Sequence, residues 1–583
     1  MLEKVAIQEE IKMEIIKNMY TGEVVEVELP RATKYDFLLE RNQKYMNNIA
    51  LSFGSKKITY EEMHTRIDEY ARALAKKGIK QGDIIAVCVA NTPESSYLLY
   101  ALDKLGAIVV GLSPLNNDYK MQRDLEIVKP KMVVTVDMMY SKFKNVEDTL
   151  NFSSILYSPV ESLNSPFIKT LYSLKQRKEG NYKRGKEFNL RKIVKDGKDF
   201  NATYGTYVEN AVTDIMFTGG SSGVHKGVDL TGNGLNAVVQ ALDYVLILEP
   251  GMIHLGNIPF GHMAFGRLVM HYALCKNLEF ALTLEMLPNK FYEELARTKA
   301  DGAMGGPVHW NALANNPRLK EGTLTNLKQA LSGGEMFKEE DRLRADEKLA
   351  FAGSKAKIGD GLGLTEMWAP THVNMGGINT PNTIGYAIPF VKSKVADFDT
   401  LEEVEQGKPG LLLVNGPGMM LGYHDNEEET NKVFSYDAKG TKWYNTGDCV
   451  ILTDSNEFKF VGRKKRNFVC GCDNIYPEQI EILLQKLPEI KEVIVTSIKD
   501  AKYQFLPKYR ILLSEVECDR SALQLKINDL ILNTLGESAL PGYIEYVDTP
   551  FLRTDNGKLN ATYYQQKDDS IENIEELGLK LKK

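Results

Sequence analysis

The sequence lacks a strong charge of either sign and lacks long hydrophobic runs. Its 583 residues contain 72 Lys and Arg against 78 Asp and Glu, a formal net charge of −6. No global attraction to nucleic acid or to a membrane is therefore expected. No stretch approaches the roughly 18 uninterrupted apolar residues that a membrane-spanning helix needs, and the acidic first twenty residues do not resemble a secretory signal. These absences favour a cytoplasmic protein with no nucleic-acid partner.

Cysteine is also sparse for so long a chain. The six cysteines are Cys88, Cys275, Cys449, Cys470, Cys472 and Cys518. Only Cys470 and Cys472 are close together, and a lone C-x-C without a second ligand pair gives weak support for a metal site. Reduced thiols are the expectation.

Predicted helices and strands alternate through most of the first 450 residues. Thr59 and Glu62 stand in the register of a capping box, apolar residues follow at helical spacing, and Gly78 comes where a helix would end. The segment DIIAVCVA is typical of a strand, and PESSYLLYALDKLGAIVVGL of a helix followed by a buried strand. This alternation predicts an α/β fold with layered, largely parallel sheets.

A smaller domain is predicted after the segment GRKK at residues 462–465. Behind it, YPEQIEILLQKL has Pro477 at its start and apolar residues at helical spacing through Leu487, while EVIVTSI and YRILLS have strand composition. About 120 residues suffice for a separate domain. We expect a large N-terminal domain of several subdomains over residues 1–462 and a small α+β domain over residues 463–583.

The segment of residues 167–198 is unusually basic, with 11 Lys and Arg against three acidic residues. It opens with an apolar helical face formed by Phe167, Ile168, Leu171, Tyr172 and Leu174. A basic amphipathic helix can bind an anionic membrane or an acidic partner. Most charge runs, however, are simply solvated surface, so both interpretations stay open.

The stretch DIMFTGGSSGVHKGV places glycines, hydroxyls and a lysine directly after an apolar strand. Glycines let the backbone approach an anion closely, and consecutive N–H groups form a concave cradle for phosphate oxygens. The stretch therefore predicts a phosphate-binding loop. It is not a Walker loop, because Lys226 follows His225 and precedes Gly227, and the dinucleotide spacing G-x-G-x-x-G is absent too.

This loop resembles the phosphate loop of the adenylate-forming superfamily, which includes acyl-CoA synthetases, carrier-loading adenylation domains and luciferases. The pattern [ST]-[SG]-G-[ST]-[ST]-G-x-P-K-G matches residues 218–227 except at His225, where proline is usual. The resemblance extends over nearly the whole chain and is weakest around residues 150–205, which makes that region a basic insertion. It implies that the following residues hold the ATP phosphates: Thr218, Gly219, Gly220, Ser221, Ser222, Gly223 and Lys226.

A second motif, DGLGLTEMW, resembles the superfamily's G-Y-G-x-T-E. The resemblance implies that Thr365 and Glu366 lie by the ATP phosphates and that Glu366 holds Mg²⁺. Leu362 stands where an aromatic side chain usually stacks on adenine. The segment LSGGEMF is similar to one that lines the adenine and acyl pockets, which adds Gly334 and Glu335 to the nucleotide site.

Two motifs around residue 450 extend the resemblance. WYNTGD is similar to W-x-x-T-G-D and implies that Asp448 accepts hydrogen bonds from both ribose hydroxyls, as a carboxylate can. GRKKRNFVCGCDNIYPEQIE implies that Arg463 reaches the ribose and that Lys465 is the hinge between domains. In the same stretch, Gly471 and Cys472 would line the tunnel for a thiol.

The segment PFLRTDNGKLN places Lys558 at the position of the superfamily's catalytic lysine. Thr554 and Gly557 fit the pattern, but Asn560 or Ala561 stands where an arginine is usual.

In NIPFGHMAFG, His262 falls where amino-acid-activating members carry an Asp that pairs with the substrate ammonium. Without a carboxylate there, a simple fatty or aryl acid is favoured, although His262 could also be a satisfied core histidine. The resemblance implies four catalytic residues: Lys558, Thr218, Glu366 and His262.

The implied reaction is ATP-dependent activation of a carboxylic acid to an acyl-adenylate, followed by transfer to the thiol of coenzyme A. ATP, Mg²⁺ and coenzyme A are the implied cofactor and substrates. An enzyme that loads a phosphopantetheine carrier protein is the first alternative. A nucleotide-binding homologue that does not react is the second, suggested by Leu362 and His225. Membrane contact, if any, is expected to be peripheral.

Overall fold

Strands and helices alternate along the chain, which a computed structural model describes over 13–17, 24–163, 165–181, 185–219, 225–335, 337–375, 380, 383–470, 473–500, 503–515, 518–553, 559–570 and 579–580. The strands are β1 (Met13–Lys17), β2 (Val24–Glu28), β3 (Ile49–Phe53), β4 (Lys56–Thr59), β5 (Ile84–Cys88), β6 (Ile108–Gly111), β7 (Met132–Val136), β8 (Ser153–Tyr157), β9 (Val212–Gly219), β10 (His225–Thr231), β11 (Ile253–Gly256), β12 (Glu279–Leu282), β13 (Gly302–Gly305), β14 (Gln329–Gly333), β15 (Ile358–Leu364), β16 (Ala369–Asn374), β17 (Tyr386–Ala387), β18 (Lys392–Ala396), β19 (Pro409–Asn415), β20 (Gly422–Tyr423), β21 (Phe434–Tyr436), β22 (Lys442–Leu452), β23 (Phe458–Arg463), β24 (Phe468–Cys470), β25 (Asp473–Ile475), β26 (Ile490–Asp500), β27 (Gln504–Leu513), β28 (Tyr543–Val547) and β29 (Leu579–Lys580). The α-helices are α1 (Lys34–Asn42), α2 (Tyr60–Lys76), α3 (Pro93–Lys104), α4 (Asp118–Val128), α5 (Glu147–Leu150), α6 (Pro166–Lys178), α7 (Leu190–Gly197), α8 (Gly232–Leu242), α9 (Ala264–Cys275), α10 (Phe291–Thr298), α11 (Pro307–Ala314), α12 (Glu339–Phe351), α13 (Glu427–Val433), α14 (Pro477–Leu484), α15 (Arg520–Leu535) and α16 (Ala561–Asp569).

The chain folds into two compact units. The first consists of Met1–Ser393 with Val414–Tyr444, and the second of Lys394–Leu413 with Asn445–Lys583. The boundary predicted between residues 462 and 463 assumes that the small C-terminal domain moves as a lid. The packing within each unit does not test such motion, so that boundary stays a prediction.

Helix α2 shows why the local sequence signals were informative. The Thr59 hydroxyl accepts a hydrogen bond from the backbone N–H of Glu62 at 3.1 Å and so caps the helix. Gly78 follows the helix with φ of +83°, a conformation that glycine adopts without strain. The apolar residues predicted for one face are all buried: Met63, Ile67, Tyr70 and Leu74.

The seven-stranded sheet of the first unit has the order β20-β10-β9-β6-β5-β7-β8. Strands β9, β6, β5, β7 and β8 are parallel to one another, so their carboxyl ends share one edge, whereas β10 and β20 are antiparallel additions. Ile85, Ala86 and Val87 in β5 are completely buried on both faces of the sheet, as parallel strands usually are.

The nine-stranded sheet of the same unit has the order β17-β16-β15-β14-β13-β11-β12-β3-β4. Its strands from β15 to β3 in that order are parallel, while β4, β16 and β17 run antiparallel to their neighbours. The prediction of layered, largely parallel sheets is therefore confirmed for this part of the chain.

The second unit has a mixed sheet of its own, with the order β25-β24-β27-β28-β29 and β26 paired with β27. Helices α14 and α15 pack on it through Ile480, Leu484, Ile527 and Ile531, which are all completely buried. Helix α14 begins at Pro477 as predicted but ends at Leu484, short of Leu487, because the residue before Pro488 disfavours helical backbone. Among the helices in the described ranges, none combines the length and the apolar character needed to cross a bilayer.

Candidate active site

The predicted phosphate loop joins two antiparallel strands, β9 and β10. Thr218 in β9 lies directly opposite Lys226 in β10, and Gly219 pairs with His225. The hairpin therefore brings Thr218 and Lys226 together at the end where the connecting loop lies. The residues between, including the predicted ligands Gly220, Ser221, Ser222 and Gly223, lie outside the described residues.

The Lys226 ammonium already has an anionic partner in the protein. It forms an ion pair with Glu429 in the first turn of α13 and lies 4.6 Å from the centre of the Tyr423 ring, a cation–π contact. Hydrogen bonds from Lys226 and Lys432 lower the pKa of Glu429 to about 2. The cation predicted for the ATP phosphates is thus held between a carboxylate and an aromatic face.

Glu366, the predicted magnesium ligand, is buried on the other side of Tyr423. The Tyr423 hydroxyl donates a hydrogen bond to Oε1 of Glu366 at 3.1 Å, and the backbone N–H of Met420 donates to the Glu366 carbonyl at 2.8 Å. Tyr423 therefore links the predicted phosphate lysine to the predicted metal carboxylate, two residues that are 140 positions apart in the chain.

The backbone just after Glu366 is strained. Trp368 and Ala369 have φ values of 55° and 78°, in the left-handed region that side chains with a Cβ rarely adopt. The buried Trp368 side chain holds this turn, since its indole N–H donates to the carbonyl of Thr231 at 2.9 Å. Strain of this kind persists only where the surroundings enforce it.

The remaining predicted nucleotide residues of the first unit lie near the carboxyl ends of two neighbouring parallel strands. Gly333 at the end of β14 pairs with Gly361 in β15, so Gly334 and Glu335 follow β14 close to Leu362. Gly334 has φ of +86° and Glu335 is exposed. Leu362 is partly exposed, as a residue that covers a base must be, and Thr365 begins the short 3-10 helix Thr365–Met367.

His262 lies in a loop that a buried arginine holds in place. Arg267 in α9 donates to the carbonyls of Phe260 and Gly261 at 2.8 and 3.2 Å and to Asp214 in β9 at 2.7 Å. Burial, together with the Arg267 charge, lowers the pKa of His262 to about 4. The imidazole is therefore neutral at pH 7.

Asp214 itself belongs to a buried charge cluster. It is fully buried and pairs with Lys34 as well as with Arg267. Burial alone would raise its pKa, but the two cations outweigh burial and lower it. The strand that carries Thr218 is thereby tied to the loop that carries His262.

The predicted ribose residues meet within the second unit. Asp448 in β22 lies opposite Arg463 in β23, and the Arg463 Nε is 2.7 Å from Oδ1 of the completely buried Asp448. Lys465, the predicted hinge, is exposed in the turn that follows β23. Its neighbour Lys464 is anchored, with Nζ 2.8 Å from the carbonyl of Phe398.

Three further predicted residues, Lys558, Gly471 and Cys472, lie outside the described residues. The chain on either side of residues 554–558 is closed by a bridge between Arg553 and Leu559 and by a hydrogen bond from the Asn560 N–H to the Leu552 carbonyl at 2.9 Å. The roles of all three residues stay predictions.

Sequence reasoning missed several residues of this site. Tyr423 and Glu429 lie outside the motifs from which the site was predicted, and no local pattern marks them. Asp214 and Arg267 did leave a signal, because each interrupts an otherwise apolar strand or helix, and a charge in such a place is usually paired.

The residues around Glu366 suit a magnesium ion that is shared with phosphates. In the described part of the chain, no group of three or more His, Cys, Asp or Glu side chains could hold a metal by itself. Mg²⁺ is commonly bound by one or two carboxylates together with substrate phosphates, and Glu366, linked to Lys226 through Tyr423, offers such a carboxylate. The ion would neutralise charge on the phosphates.

Several known proteins are similar to this chain in sequence or in fold. The model of the AMP-binding enzyme family matches residues 38–424. A long-chain-fatty-acid–CoA ligase of Bacillus subtilis is 26% identical over 484 residues, which cover 82% of this chain and 84% of the relative. ATP-bound MatB from Rhodopseudomonas palustris has a TM-score of 0.78 at 19% identity and covers 93% of this chain and 100% of its own. The anthranilate CoA ligase AuaEII in complex with anthranoyl-AMP has a TM-score of 0.76 at 17% identity, covering 93% and 98%.

A large α/β unit and a smaller α+β unit form the fold that the sequence predicted for an adenylate-forming enzyme. The chain belongs to the AMP-binding enzyme family. The resemblance and the fold class expected from the sequence are thus confirmed, and so is the expectation of an AMP-forming acid ligase.

Proposed function

We propose that the protein activates a fatty or aryl acid with ATP and transfers the acyl group to coenzyme A. The observation that carries the proposal is the contact of Tyr423 with both Lys226 and Glu366. Through Tyr423, a lysine of the glycine-rich hairpin that would bind phosphate oxygens is linked to a carboxylate that would hold magnesium.

In the first step, a carboxylate oxygen of the acid attacks the α-phosphorus of ATP. A new P–O bond forms, the bond to the β-phosphate oxygen breaks, and pyrophosphate leaves with the electron pair. Both reactants are anions, so preorganised positive charge and N–H donors are needed where charge develops. Lys226 and the loop amides would bind the departing phosphates, Glu366 would hold Mg²⁺, and Lys558 would bridge the carboxylate and the α-phosphate.

The neutral imidazole of His262 supports an acid without an ammonium group. A substrate amino group would need a carboxylate partner in a desolvated pocket, and His262 occupies the position where such a partner is expected. The names of two relatives agree with this class, since one is a long-chain-fatty-acid–CoA ligase and the other an anthranilate CoA ligase.

In the second step, a thiol sulfur attacks the acyl carbonyl of the adenylate. The C–S bond forms, the bond from the acyl carbon to the AMP phosphate oxygen breaks, and the thiol proton is released. Coenzyme A is favoured over a carrier protein because both relatives are named CoA ligases. Rotation about Lys465 would remove Lys558 and bring Gly471 and Cys472 to the thiol.

The proposal places the enzyme in the cytoplasm, where the free cysteines of the described chain stay reduced.

The test is ATP–pyrophosphate exchange with a panel of fatty and aryl acids, followed by a thioester assay with coenzyme A. Exchange should appear with at least one acid, and Lys558→Ala should reduce it by at least about a hundredfold, as loss of an electrostatic catalytic group does. Lys567→Ala, which removes an exposed lysine from α16, is the matched control and should retain exchange.

The remaining outcomes separate the alternatives. Exchange without acyl-CoA, together with acylation of a phosphopantetheine carrier, would favour the carrier-loading enzyme. No exchange with any acid, despite measurable ATP binding, would favour the non-catalytic homologue and contradict the proposal.

A further inference from the structure

Helix α6 (Pro166–Lys178), in the basic insertion, turns its large apolar side chains towards solvent. The exposed fractions are 76% for Phe167, 45% for Ile168, and 58% each for Leu171 and Leu174. These residues recur at the three- and four-residue spacing of one helical face. They form a continuous stripe, which we call the apolar stripe of α6.

The opposite face of the same helix is polar and points inwards. Lys169, Tyr172 and Gln176 occupy it, and Gln176 is only 5% exposed. The Tyr172 hydroxyl donates to Oδ1 of Asp137 at 2.5 Å and fixes the helix against the 3-10 helix Asp137–Lys142. A surface helix of a globular protein ordinarily buries its apolar face, so α6 has the reverse orientation.

Basic residues border the apolar stripe. Lys175, Arg177 and Lys178 fill the last turn of α6, and its first turn has no acidic residue. All three basic residues are exposed. Long basic side chains beside an exposed apolar stripe match the charge and the depth of an anionic lipid surface. Because the chain has a net charge of −6, attraction to an anionic surface requires a local basic patch such as this one.

Other exposed apolar groups lie at the same edge of the seven-stranded sheet. Met138 is 44% exposed and follows Asp137, the partner of Tyr172. Leu115 and Tyr119 are 83% and 73% exposed. Lys142 of the same 3-10 helix donates to the carbonyls of Pro114 and Asn116, on either side of Leu115. These segments all follow the carboxyl ends of parallel strands β6, β7 and β8, the edge at which β9 leads into the phosphate hairpin.

We propose that α6 docks the enzyme on an anionic lipid bilayer, with the apolar stripe inserted among the acyl chains and Lys175, Arg177 and Lys178 on the headgroups. A second copy of this chain fits less well. A stable dimer buries about 1,200 Å² or more, summed over both copies. One short stripe of four side chains offers only a few hundred Å² on each copy. Docking does not depend on the proposed reaction, so the two can fail separately.

Fluorescence tests insertion directly. The native tryptophans Trp310, Trp368 and Trp443 are at most 8% exposed, so a tryptophan introduced by Phe167→Trp would be the only strongly exposed one within the described chain. Its emission should shift to shorter wavelength when vesicles of phosphatidylcholine with phosphatidylglycerol are added at low ionic strength. Leu525→Trp, at a 71% exposed site in α15, is the control and should show no shift.

Vesicle flotation tests which groups are responsible. The Leu171→Ser/Leu174→Ser variant should reduce the floating fraction by about tenfold, since two inserted leucines are lost. Leu525→Ser/Leu532→Ser, which removes two exposed leucines from α15, should float like the wild type. Lys175→Gln/Lys178→Gln should lose binding in the same direction, and raised salt should weaken the wild type.

Three results would overturn the proposal. The first is no flotation of the wild type with anionic vesicles at low salt. The second is equal flotation of wild type and Leu171→Ser/Leu174→Ser. The third is a dimer in analytical ultracentrifugation that only the α6 variant dissociates, which would assign the stripe to a second copy.

Discussion

At the scale of single residues, the role proposed for Lys226 would require its ammonium to exchange one anion for another. Glu429 pairs with it in the protein, and the Glu429 side chain is 31% exposed. If Lys226 binds the ATP phosphates as proposed, the Glu429 carboxylate competes with the phosphate oxygens for the same donor. Exposed pairs of this kind contribute about 1 kcal/mol or less, so the competition is expected to be modest.

We therefore expect Glu429→Gln to lower the KM for ATP by about two- to fivefold, with kcat nearly unchanged. Initial rates of adenylate formation at varied ATP concentration measure this effect. Glu428→Gln is the matched control, because Glu428 is 82% exposed and its ion pair is with Lys432. A rise in KM for Glu429→Gln would show that Glu429 positions Lys226 rather than competing for it.

Asp360, where β15 enters the DGLG motif, gives a pH-dependent stability. Burial raises the pKa of its carboxyl from 3.8 to about 7, although hydrogen bonds from the N–H groups of Gly361 and Phe337 and the charge of Arg342 oppose the rise. Because the folded pKa is raised, the stabilisation is fully present below about pH 4 and is lost as pH rises through about 7. The difference amounts to roughly 2–4 kcal/mol across that window.

Asp360→Asn cannot ionise, and its single amide oxygen can still accept the 2.9 Å hydrogen bond from the Gly361 N–H, although it loses the 3.4 Å bond from Phe337. We expect its Tm relative to the wild type to rise steadily between about pH 5 and pH 8. Differential scanning calorimetry at several pH values checks the trend. Asp341→Asn, at a surface carboxylate paired with Arg344, should show no such trend, and a constant Tm difference for Asp360→Asn would contradict the raised pKa.

The motifs predicted several residues that the structure then brought together. Thr218 and Lys226 were marked by the glycine loop, and Asp448 and Arg463 by two adjacent motifs. Glu429 could not be predicted, because its contact with Lys226 joins residues 203 positions apart. Only the pairing of β10 with β20, followed by α13, brings the two together.

At the scale of elements, the turn after Glu366 depends on a close approach by the segment that precedes β20. A Cβ added at Gly418 would lie 2.7 Å from the carbonyl oxygen of Met367 and 2.8 Å from a methyl of Val238. Neither the backbone nor the packed valine can give way cheaply. Gly418 therefore fixes the distance between this segment and the strained turn.

Gly418→Ala should push the turn away and displace Glu366. We expect kcat/KM for adenylate formation to fall by at least about tenfold, because displacements near 1 Å have large effects on catalysis. The loss should be partly reversed by high Mg²⁺ if Glu366 holds the ion. Gly306→Ala, where the added Cβ meets only ordinary contacts, should retain activity, and equal losses in both variants would contradict this explanation.

The spacing of apolar residues predicted where helices form better than it predicted which face of a helix is buried. The capping residue and periodicity of α2 defined both its start and its buried face. In α6 the periodicity correctly indicated an apolar face, but it wrongly placed Tyr172 on that face, since Tyr172 lies on the inward side and binds Asp137. The periodicity also could not show that the apolar face points outwards. The inward side is set by Gln176 and by the bond between Tyr172 and Asp137, which only the fold reveals.

At the scale of the whole molecule, the second unit has a charged centre of its own. Asp568 at the end of α16 is buried with Lys508 and Arg510, and the Lys508 Nζ lies 3.2 Å from its Oδ1. The cluster ties α16 to the sheet. Both cations also pair with Glu545, which is 28% exposed, so without Asp568 two buried positive charges would share one partly exposed carboxylate.

Asp568→Asn should destabilise the second unit by about 3–5 kcal/mol. Hydrogen exchange followed by mass spectrometry should show faster exchange in β26 and β27 and unchanged protection in β5 and β7. Asp569→Asn, at the exposed neighbouring position, should change neither. Uniform loss of protection throughout the chain would contradict a stabilising role confined to the second unit.

The sequence predicted a large domain and a smaller one, because motif order and the change in composition near residue 462 are local signals. It did not show that residues 394–413 pack with the later part of the chain. That grouping arises from strand β19, which lies beside β22 in their sheet. Such pairing joins distant segments and leaves no pattern in either one alone.

The β9–β10 hairpin has a consequence for how the loop between its strands can vary. Val228 and Leu230 are completely buried and share one face of β10 with Lys226, because side chains alternate along a strand. Sliding β10 by one residue would expose both apolar groups and send the lysine to the wrong side of the sheet. Burial of Val228 and Leu230 therefore fixes the register of β10 and with it the position of the Lys226 charge. Insertions or deletions in the loop should be tolerated only when they leave this register unchanged.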